Sequence, residues 1–461
     1  MQLILRARRA LSTCVAALVF CACNANSGIG SAPGLPVVSS AHAIAQTEPI
    51  HRAGSGKIKH VVIIVQENRS FNNLFAGYPG AKTAKYGYDS YGHLIKLRPI
   101  GLETGWDIDH SSSSFFAACN GTGSIPGTNC KMNGFNNEYV GCGSACPIKH
   151  PQYAYVPRSE TAPYFAMAQQ YVLADEMFAS HFDASSFISH QYIISGQAES
   201  AVNYPYGPWG CPGGSGDMIG TVGPQRQIPQ GYEVVCWDPT TLGDELDRAG
   251  LSWGFYGVSY SGYPGGWIAY QAIKHIYNGP DWSKDILSPP SQVLTDVANG
   301  NLRSVSWVTP TCANSDHAGC SSNTGPSWVT SIVNAVGESK YWDSTAIFIF
   351  WDDYGGWYDR EAPAYVDYDG LGFRLPMLIV SAYAKQGHVS HVHYEHGSIL
   401  KFVEDQFGLA RLSASDTRAK SPALDCFDFT KPPRTFVPIQ ARYDANYFKH
   451  QPIDTRIPDW E

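Results

Sequence analysis

The segment IKHVVIIVQENRSF, residues 58–71, carries the clearest indication of the fold. Its first half is almost entirely apolar and β-branched, which is typical of a strand buried on both faces in a parallel sheet. The apolar run stops abruptly at Glu67. A second run of this kind, TAIFIF at 345–350, is closely followed by Asp352 and Asp353. The two runs predict a sheet that carries carboxylates at one edge.

Further strands and helices alternate along the chain. Short apolar runs predict strands, and segments with helical spacing predict helices. The predicted strands are 251–256, 305–308 and 377–380, and the predicted helices are 163–170, 241–248, 326–336 and 397–407. This alternation predicts an α/β fold with a mostly parallel central sheet and helices on both faces. Cysteine-bearing insertions near 111–150 and 200–240 are expected to decorate it.

Composition excludes several classes of protein. The chain has 461 residues, of which 44% are hydrophobic, so it can bury a large core. Its 45 glycines and 30 prolines follow no triplet repeat and indicate turns and loops. The 32 Lys and Arg and 40 Asp and Glu give a formal charge of −8 without a dense basic run. This pattern argues against nucleic-acid binding.

The amino-terminal segment predicts export. Residues 1–23 place three arginines before an apolar stretch, an order that suits a secretory signal better than a transmembrane span. Arg8 and Arg9 leave twin-arginine export open, and Cys23 leaves a lipid anchor open.

The rest of the chain divides into two predicted regions. Residues 24–55 are rich in Ser, Gly, Ala and Pro and predict a flexible leader. Residues 56–461 show no interior linker and predict one domain. We therefore expect a secreted or periplasmic protein, or one held at the outer surface by the lipid anchor.

The cysteines predict disulfides that staple long loops. Of the 12 cysteines, three precede residue 24 and nine follow it. Zinc binding is the competing interpretation, but no CxxC pair supports it. Pairing in chain order joins Cys119 to Cys130, Cys142 to Cys146, Cys211 to Cys236 and Cys312 to Cys320, and leaves Cys426 unpaired.

The residues after the two buried strands suggest a metal site. In an open α/β sheet, ligands bind beyond the carboxyl ends of the strands, so Glu67 and Asn68 can converge with Asp352 and Asp353. Three carboxylates and an amide oxygen suit Mg, Mn or Ca, and crowding three anions without a cation is costly. The same acids can instead be solvated or cap helices, and the local pattern leaves both interpretations open.

Small polar residues and histidines are further candidates for catalysis or metal binding. The stretch DASSFISHQY at 183–192 opens a new element, where a serine is either a nucleophile or an ordinary helix cap. His110 and His317 each follow acids in loops, and each can protonate a leaving group or be structural. The four histidines within 388–396 suggest either a metal site or a solvated loop. The absence of G-x-S-x-G and GxxxxGK[ST] motifs weakens the α/β-hydrolase and Walker ATPase interpretations.

At QENRSF, residues 66–71, the sequence resembles a bacterial phosphoesterase family that contains phosphocholine-type phospholipases C and acid phosphatases. Further motifs of this family agree in order. They are DIDH at 107–110, KMNGF at 131–135, NSDH at 314–317, WDDYGGWYD at 351–359 and GFRLP at 372–376. The resemblance covers about residues 58–409.

The resemblance implies an alkaline-phosphatase-like fold with a divalent metal ion and a hydroxyl nucleophile at the carboxyl edge of the sheet. The implied metal ligands are Glu67, Asn68, Asp352 and Asp353, together with the nucleophile. The implied ion is Mg, Mn or Ca.

The nucleophile follows from an alignment with the phospholipase relatives, which have T-W-P-N-R-L-Y ahead of a Ser-Gly pair. Aligning on Tyr192 puts Ser186 at the threonine, and Ser189 and His190 at the Asn-Arg positions. Ser185 and Ser189 remain fallback nucleophiles.

Other positions match or depart from the family. His110 and His317 match histidines that surround the phosphoryl group. Asn72, Asn133 and Arg360 depart from the family pattern, which puts substrate contacts and metal affinity in doubt.

The resemblance therefore implies a secreted, metal-dependent phosphoric ester hydrolase. The expected activity is that of an acid phosphatase-like phosphomonoesterase with a phosphoserine intermediate. Phospholipase C activity on phosphocholine lipids is the alternative, and a non-catalytic secreted binding protein is a further one. The expected partner is a small phosphoester or a phospholipid head group.

Overall fold

The apolar run of residues 58–71 forms the middle of a large sheet. The computed structural model describes residues 56–258 and 267–456, so the predicted signal segment 1–23 and leader 24–55 lie outside the described residues. The first strand, β1, covers His60–Gln66, and six of its seven residues are buried. Burial on both faces explains why this run is apolar without alternation.

The described residues form sixteen strands and thirteen α-helices. The strands are β1 His60–Gln66, β2 Tyr86–Tyr88, β3 Leu94–Lys96, β4 Arg98–Pro99, β5 Ala154–Tyr155, β6 Val172–Phe178, β7 Ala201–Val202, β8 Met218–Thr221, β9 Tyr232–Val234, β10 Trp253–Tyr256, β11 Ile286–Leu287, β12 Val305–Val308, β13 Thr345–Trp351, β14 Arg374–Ser381, β15 His388–Ser390 and β16 Tyr394–Glu395. The helices are α1 Phe71–Phe75, α2 Ser112–Cys119, α3 Arg158–Gln170, α4 Ser186–Ser195, α5 Leu242–Arg248, α6 Lys274–Tyr277, α7 Pro280–Asp285, α8 Gln292–Ala298, α9 Gly325–Gly337, α10 His396–Phe407, α11 Ala414–Arg418, α12 Ala423–Cys426 and α13 Ala445–His450.

The central sheet has nine strands and is mostly parallel, which confirms the predicted class. Eight strands follow the order β11-β10-β12-β1-β13-β14-β6-β15, and β16 pairs with β6. Only β14 runs against its neighbours β13 and β6, while the other pairs in this sheet are parallel. All strands except β14 therefore end at the same edge.

Helices cover both faces of the sheet. On β13, the ring of Phe348 packs on Phe402 of α10, with centroids 4.9 Å apart. Trp351, an odd-numbered position on the same strand, instead meets Tyr164 of α3 at 5.0 Å. Because side chains alternate between the faces of a strand, α3 and α10 lie on opposite sides of the sheet.

The register of β1 and β13 brings the two acid-bearing segments together. The strands are parallel neighbours, and their last residues, Gln66 and Trp351, are paired. Glu67 and Asp352 therefore leave the sheet side by side. This pairing explains how positions far apart in sequence reach one site.

The sequence analysis missed four strands of this sheet, β6, β11, β15 and β16, and β6 is the longest of them. Strand β6 is fully buried although it contains Asp175 and Glu176. Two adjacent acids argue against a buried strand, but here Asp175 accepts a hydrogen bond from the backbone of Lys82 at 2.8 Å. His391 contacts the other oxygen of Asp175 at 2.8 Å. These long-range partners offset the cost of burial and are not visible in the local sequence.

The four predicted disulfides are confirmed. They join Cys119 to Cys130, Cys142 to Cys146, Cys211 to Cys236 and Cys312 to Cys320. Cys426 is free, as predicted, and the structure shows that it is buried. Disulfides of this number are typical of an oxidising compartment. Among the described residues, none of the helices is long and apolar enough to cross a membrane.

Two motif residues form a buried ion pair that is structural. Asp359, at the end of the WDDYGGWYD motif, accepts two hydrogen bonds of 3.0 Å from Arg374, in the GFRLP motif. Neither side chain is exposed to solvent. Arg374 also donates to the carbonyl of Asp175 at 2.8 Å and lies 4.5 Å over the ring of Phe71.

Replacing Asp359 with asparagine is expected to lower the free energy of unfolding by about 3–5 kcal/mol, because it leaves a buried guanidinium without a counter-ion. Urea denaturation measures this change. The same substitution at exposed Asp343 is the control and should alter stability by less than about 0.5 kcal/mol. Equal stability of the two variants would contradict the structural role of the pair.

Candidate active site

The segments after β1 and β13 hold the predicted carboxylates in direct contact. The backbone amide of Asn68 donates to Asp352 Oδ1 at 3.0 Å. Asn68 has a φ of 58°, in the left-handed region, which turns the chain sharply after Glu67. A Cβ at Gly355 would lie 2.1 Å from the backbone oxygen of Asn68, so only glycine permits this close approach.

Ser186 lies at the first position of helix α4, with its side chain among these groups. Its Oγ accepts a hydrogen bond from Asn68 Nδ2 at 3.3 Å and donates to Asp353 Oδ2 at 3.4 Å. The other oxygen of Asp353 accepts from the backbone amide of Gly355 at 2.7 Å. Because the amino terminus of a helix carries a partial positive charge, this position favours an anionic group.

The two fallback serines make different contacts. Ser185 is the N-cap of α4, and its Oγ donates to the backbone carbonyl of Asn203 at 2.9 Å. Ser189 is buried one turn further along the helix. The hydroxyl that meets both Asn68 and Asp353 is that of Ser186.

His110 contacts the same amide nitrogen of Asn68 as Ser186 does. Its Nδ1 lies 2.7 Å from the carbonyl of Ile108, and its Nε2 lies 2.8 Å from Asn68 Nδ2. A carbonyl accepts only, so Nδ1 carries the hydrogen and Nε2 accepts from Asn68. Tyr204, which the sequence did not single out, places its hydroxyl 3.4 Å from the same Nε2.

His317 lies beside His110 in the wall of the site. The centroids of the two imidazole rings are 6.3 Å apart, in an edge-to-face arrangement. His317 Nδ1 contacts the carbonyl of Ala318 and lies 3.8 Å from Asp107 Oδ2. The structure thus brings both predicted histidines and all five predicted metal ligands to one edge of the sheet.

His190 joins the carboxylates, although the sequence singled it out only by alignment. Its Nε2 lies 3.1 Å from Glu67 Oε1 and 3.8 Å from Asp352 Oδ2. The three side chains are buried, and one ligand atom from each lies within 4.8 Å of the others. This group is close enough to bind a metal ion. The donor set of two carboxylates and one imidazole fits a divalent cation.

The charge state of this cluster is compatible with cation binding. Burial acts to raise the pKa of Asp352, but the charge of a protonated His190 and the backbone hydrogen bond from Asn68 help to outweigh burial and lower it. Asp352 is therefore an anion at neutral pH. Burial lowers the pKa of the neighbouring His396 to about 4, so this imidazole is neutral.

The other histidines of the 388–396 segment contact separate acids. His388 pairs with Asp425 at 3.0 Å, and His393 pairs with Glu176 at 3.1 Å. With His391 bonded to Asp175, three of the four histidines have different carboxylate partners. The interpretation of these residues as one metal site therefore receives no support from their positions.

The three departures from the family pattern bond outside the carboxylate cluster. The side chain of Asn72 forms two hydrogen bonds with the backbone of Ala84. Asn133 accepts from the side chain of Asn120 at 3.0 Å. Arg360 is half exposed and donates to the carbonyl of Thr83 at 3.3 Å.

Comparison with known sequences supplies the family. A profile of the phosphoesterase family matches residues 58–410. The chain belongs to the phosphoesterase family. The matched region contains the strands, the carboxylates, Ser186 and both histidines described above.

Several relatives in this family are phospholipases C. The non-hemolytic phospholipase C of Pseudomonas aeruginosa is 25% identical over an alignment covering 88% of this chain and 62% of the relative. Phospholipase C B of Mycobacterium tuberculosis is 23% identical, with 83% and 80% covered. Non-specific phospholipase C1 of Arabidopsis thaliana is 24% identical, with 77% and 68% covered. The chain spans 62%, 56% and 58% of three bacterial phospholipases C that it matches.

Solved structures with a similar fold include the following two, both of low sequence identity to this chain. A protein in the alkaline phosphatase superfamily from Vibrio parahaemolyticus matches with a TM-score of 0.36 and 12% identity, covering 82% of this chain and 71% of that one. The PsFucS1 sulfatase from Pseudoalteromonas matches with a TM-score of 0.40 and 9% identity, covering 83% and 75%.

Proposed function

We propose that this protein is a metal-dependent phosphoric ester hydrolase of the phospholipase C type, with Ser186 as its nucleophile. The observation that carries this proposal is the position of Ser186 Oγ between Asn68 Nδ2 and Asp353 Oδ2, at the amino terminus of α4. A hydroxyl beside a carboxylate acceptor and a helix amino terminus is suited to attack a phosphoryl group.

The cation would be held by Glu67, Asn68, Asp352 and Asp353, with Ser186 beside them. Asn68 Oδ1 is buried without a hydrogen-bond partner among the described residues, as expected of an oxygen that coordinates a metal. When bound, a divalent cation would neutralise the charge of phosphoryl oxygens and favour ionisation of a nearby hydroxyl.

Catalysis begins with attack of Ser186 Oγ on phosphorus. Asp353 accepts the hydrogen bond of this hydroxyl and takes its proton as the oxygen–phosphorus bond forms. The bond from phosphorus to the alcohol breaks, and a histidine protonates the leaving oxygen. We assign this second role to His317, because Nε2 of His110 is already engaged with Asn68.

Water then hydrolyses the phosphoserine and restores Ser186. The water oxygen attacks phosphorus, its proton goes to the histidine that protonated the alcohol, and the serine oxygen regains the proton held by Asp353. The products are an alcohol and a phosphate monoester when the substrate is a diester. The amino terminus of α4 supplies hydrogen-bond donors to the charge that develops on the phosphoryl oxygens.

The relatives and the aromatic residues beside the site support a phospholipid, rather than a simple phosphomonoester, as the substrate. The relatives named phospholipase C support the phospholipase C alternative better than the acid phosphatase expectation. Tyr204 and Trp267 border the site, since Tyr204 contacts His110 and the ring of Trp267 lies 5.9 Å from that of His317. Aromatic rings attract quaternary ammonium groups, which suits a choline head group.

A comparison of two chromogenic substrates tests this assignment. We expect the value of kcat/KM for p-nitrophenyl phosphorylcholine to exceed that for p-nitrophenyl phosphate by about tenfold or more, equivalent to about 1.4 kcal/mol. Both are measured across pH with each divalent cation added. Preference for the monoester would support the acid phosphatase alternative instead. Failure to hydrolyse either substrate, or phosphatidylcholine vesicles, would favour the non-catalytic binding protein.

A further inference from the structure

His190 differs in kind from the residue that the phospholipase relatives have at its position. The alignment on Tyr192 places it at an arginine, a fixed cation with five donors and no lone pair for a metal. Here a shorter imidazole on α4 is buried and reaches the carboxylates that follow β1 and β13. The position therefore exchanges a positive charge for a group that can donate an electron pair.

The orientation of the His190 ring is fixed by its other nitrogen. Nδ1 lies 3.0 Å from the backbone carbonyl of Trp267, and the two rings are stacked at 20° with centroids 6.3 Å apart. The carbonyl accepts only, so Nδ1 carries the hydrogen of the neutral ring. When the ring is neutral, as a metal ligand must be, the lone pair is on Nε2, which faces Glu67 and Asp352. A carbonyl that orients an imidazole in this way is a common partner of metal-ligating histidines.

The distances in this group match those around a metal ion. Ligand atoms bound at 2.0–2.2 Å in tetrahedral or octahedral geometry are about 3–3.5 Å from one another. Nε2 of His190 is 3.1 Å from Glu67 Oε1, which is within that spacing, and 3.8 Å from Asp352 Oδ2, which is slightly beyond it. Three electron-rich atoms at such distances in a buried site are suited to enclosing a cation.

We propose that His190 is a nitrogen ligand of the active-site cation, together with Glu67 and Asp352, and that it shifts the preference of the centre toward Zn²⁺ and Co²⁺ over Mg²⁺ and Ca²⁺. This inference rests on the proposed function only for the presence of a cation at the catalytic edge. Imidazole suits first-row transition metals, whereas Mg²⁺ and Ca²⁺ prefer oxygen ligands. The all-oxygen set implied by the resemblance did not include this nitrogen.

Metal titration of the metal-free protein and its His190→Gln variant tests the proposal without measuring turnover. We expect the substitution to weaken Zn²⁺ and Co²⁺ binding by about 10- to 100-fold or more, and Mg²⁺ binding by less than about threefold. The visible spectrum of the Co²⁺-loaded protein should change as nitrogen is lost from the coordination sphere.

The matched control is His60→Gln. His60 is also oriented by a backbone carbonyl, that of Arg303 at 2.9 Å from its Nδ1, but it lies at the start of β1, away from the carboxylates. This variant should bind all four ions like the wild type. Equal Zn²⁺ affinity in the His190→Gln variant and the wild type would overturn the proposal, as would a wild-type preference for Mg²⁺.

A second measurement requires no substitution, and therefore remains decisive if the variant does not fold. Electron spin echo modulation of the Cu²⁺-loaded wild type should show a coordinated imidazole nitrogen, and a spectrum without one would overturn the proposal. Failure of the proposed function gives a different result from failure of this inference. In that case Zn²⁺ would still bind through His190, but the protein would hydrolyse no phosphoester. If Mg²⁺ alone supports equal hydrolysis by the wild type and by the His190→Gln variant, the proposed function stands, but His190 is not a ligand of the catalytic cation.

Discussion

Replacing Ser186 with alanine is expected to lower kcat for phosphoric ester hydrolysis by about 10⁴-fold or more. The substitution removes the oxygen that Asn68 and Asp353 hold, so that no atom remains to form the bond to phosphorus. The fold should persist, because only one hydroxyl is lost and its hydrogen bonds contribute about 1 kcal/mol. Steady-state assays with p-nitrophenyl phosphorylcholine, together with circular dichroism, measure both effects.

The neighbouring serines provide matched controls. Ser185→Ala removes a hydroxyl that bonds to the carbonyl of Asn203, and Ser189→Ala removes one on the following turn of α4. Both variants should keep activity within about tenfold of the wild type, with a change in stability of about 1 kcal/mol. Loss of turnover in Ser185→Ala combined with wild-type turnover in Ser186→Ala would transfer the nucleophile to the helix cap. A phosphoryl adduct trapped by acid quench on the peptide containing Ser186 would identify the attacking oxygen directly.

The sequence predicted that the acids converge, because a buried strand is recognisable from the apolar pattern of a few consecutive residues. Both buried runs are β-branched and end just before carboxylates, and parallel pairing in register then places Glu67 beside Asp352. The disulfides were also predictable, since each closes a short loop between cysteines consecutive in sequence. The local sequence pattern was therefore sufficient to predict contacts that depend on where a strand ends or on a short separation along the chain.

Contacts that depend on the rotation of a helix could not be derived in this way. Successive helical residues point about 100° apart, so a shift of one residue in the start of α4 would exchange the environments of Ser185 and Ser186. The position of the cap is set by tertiary contacts such as that of Ser185 with Asn203. His190 reaches Glu67 for the same reason, one helical turn after Ser186. Only the resemblance, through the alignment on Tyr192, pointed to Ser186.

Replacing Asp352 with asparagine is expected to weaken binding of the catalytic cation by about 100-fold or more and to reduce turnover accordingly. The amide oxygen should keep the acceptor position of Oδ1, which receives the backbone hydrogen bond of Asn68 at 3.0 Å. The amide nitrogen then takes the place of Oδ2, facing His190 and Glu67. An amide NH₂ group has no lone pair to offer a metal, so one anionic ligand is lost. Calorimetric titration and metal analysis after dialysis measure the effect.

The same substitution should also destabilise the metal-free protein. The pKa of Asp352 is lowered in the folded protein, so its anion stabilises the fold above the ordinary pKa of an aspartate, and neutralising it should lower the free energy of unfolding without metal at pH 7. Asp285→Asn is the control, because Asp285 is a buried acid at the end of α7 and is paired with Lys284 at 3.0 Å. That variant should bind metal normally. If Asp352→Asn binds metal like the wild type, or if exhaustive chelation leaves wild-type hydrolysis unchanged, the metal-dependent mechanism is wrong.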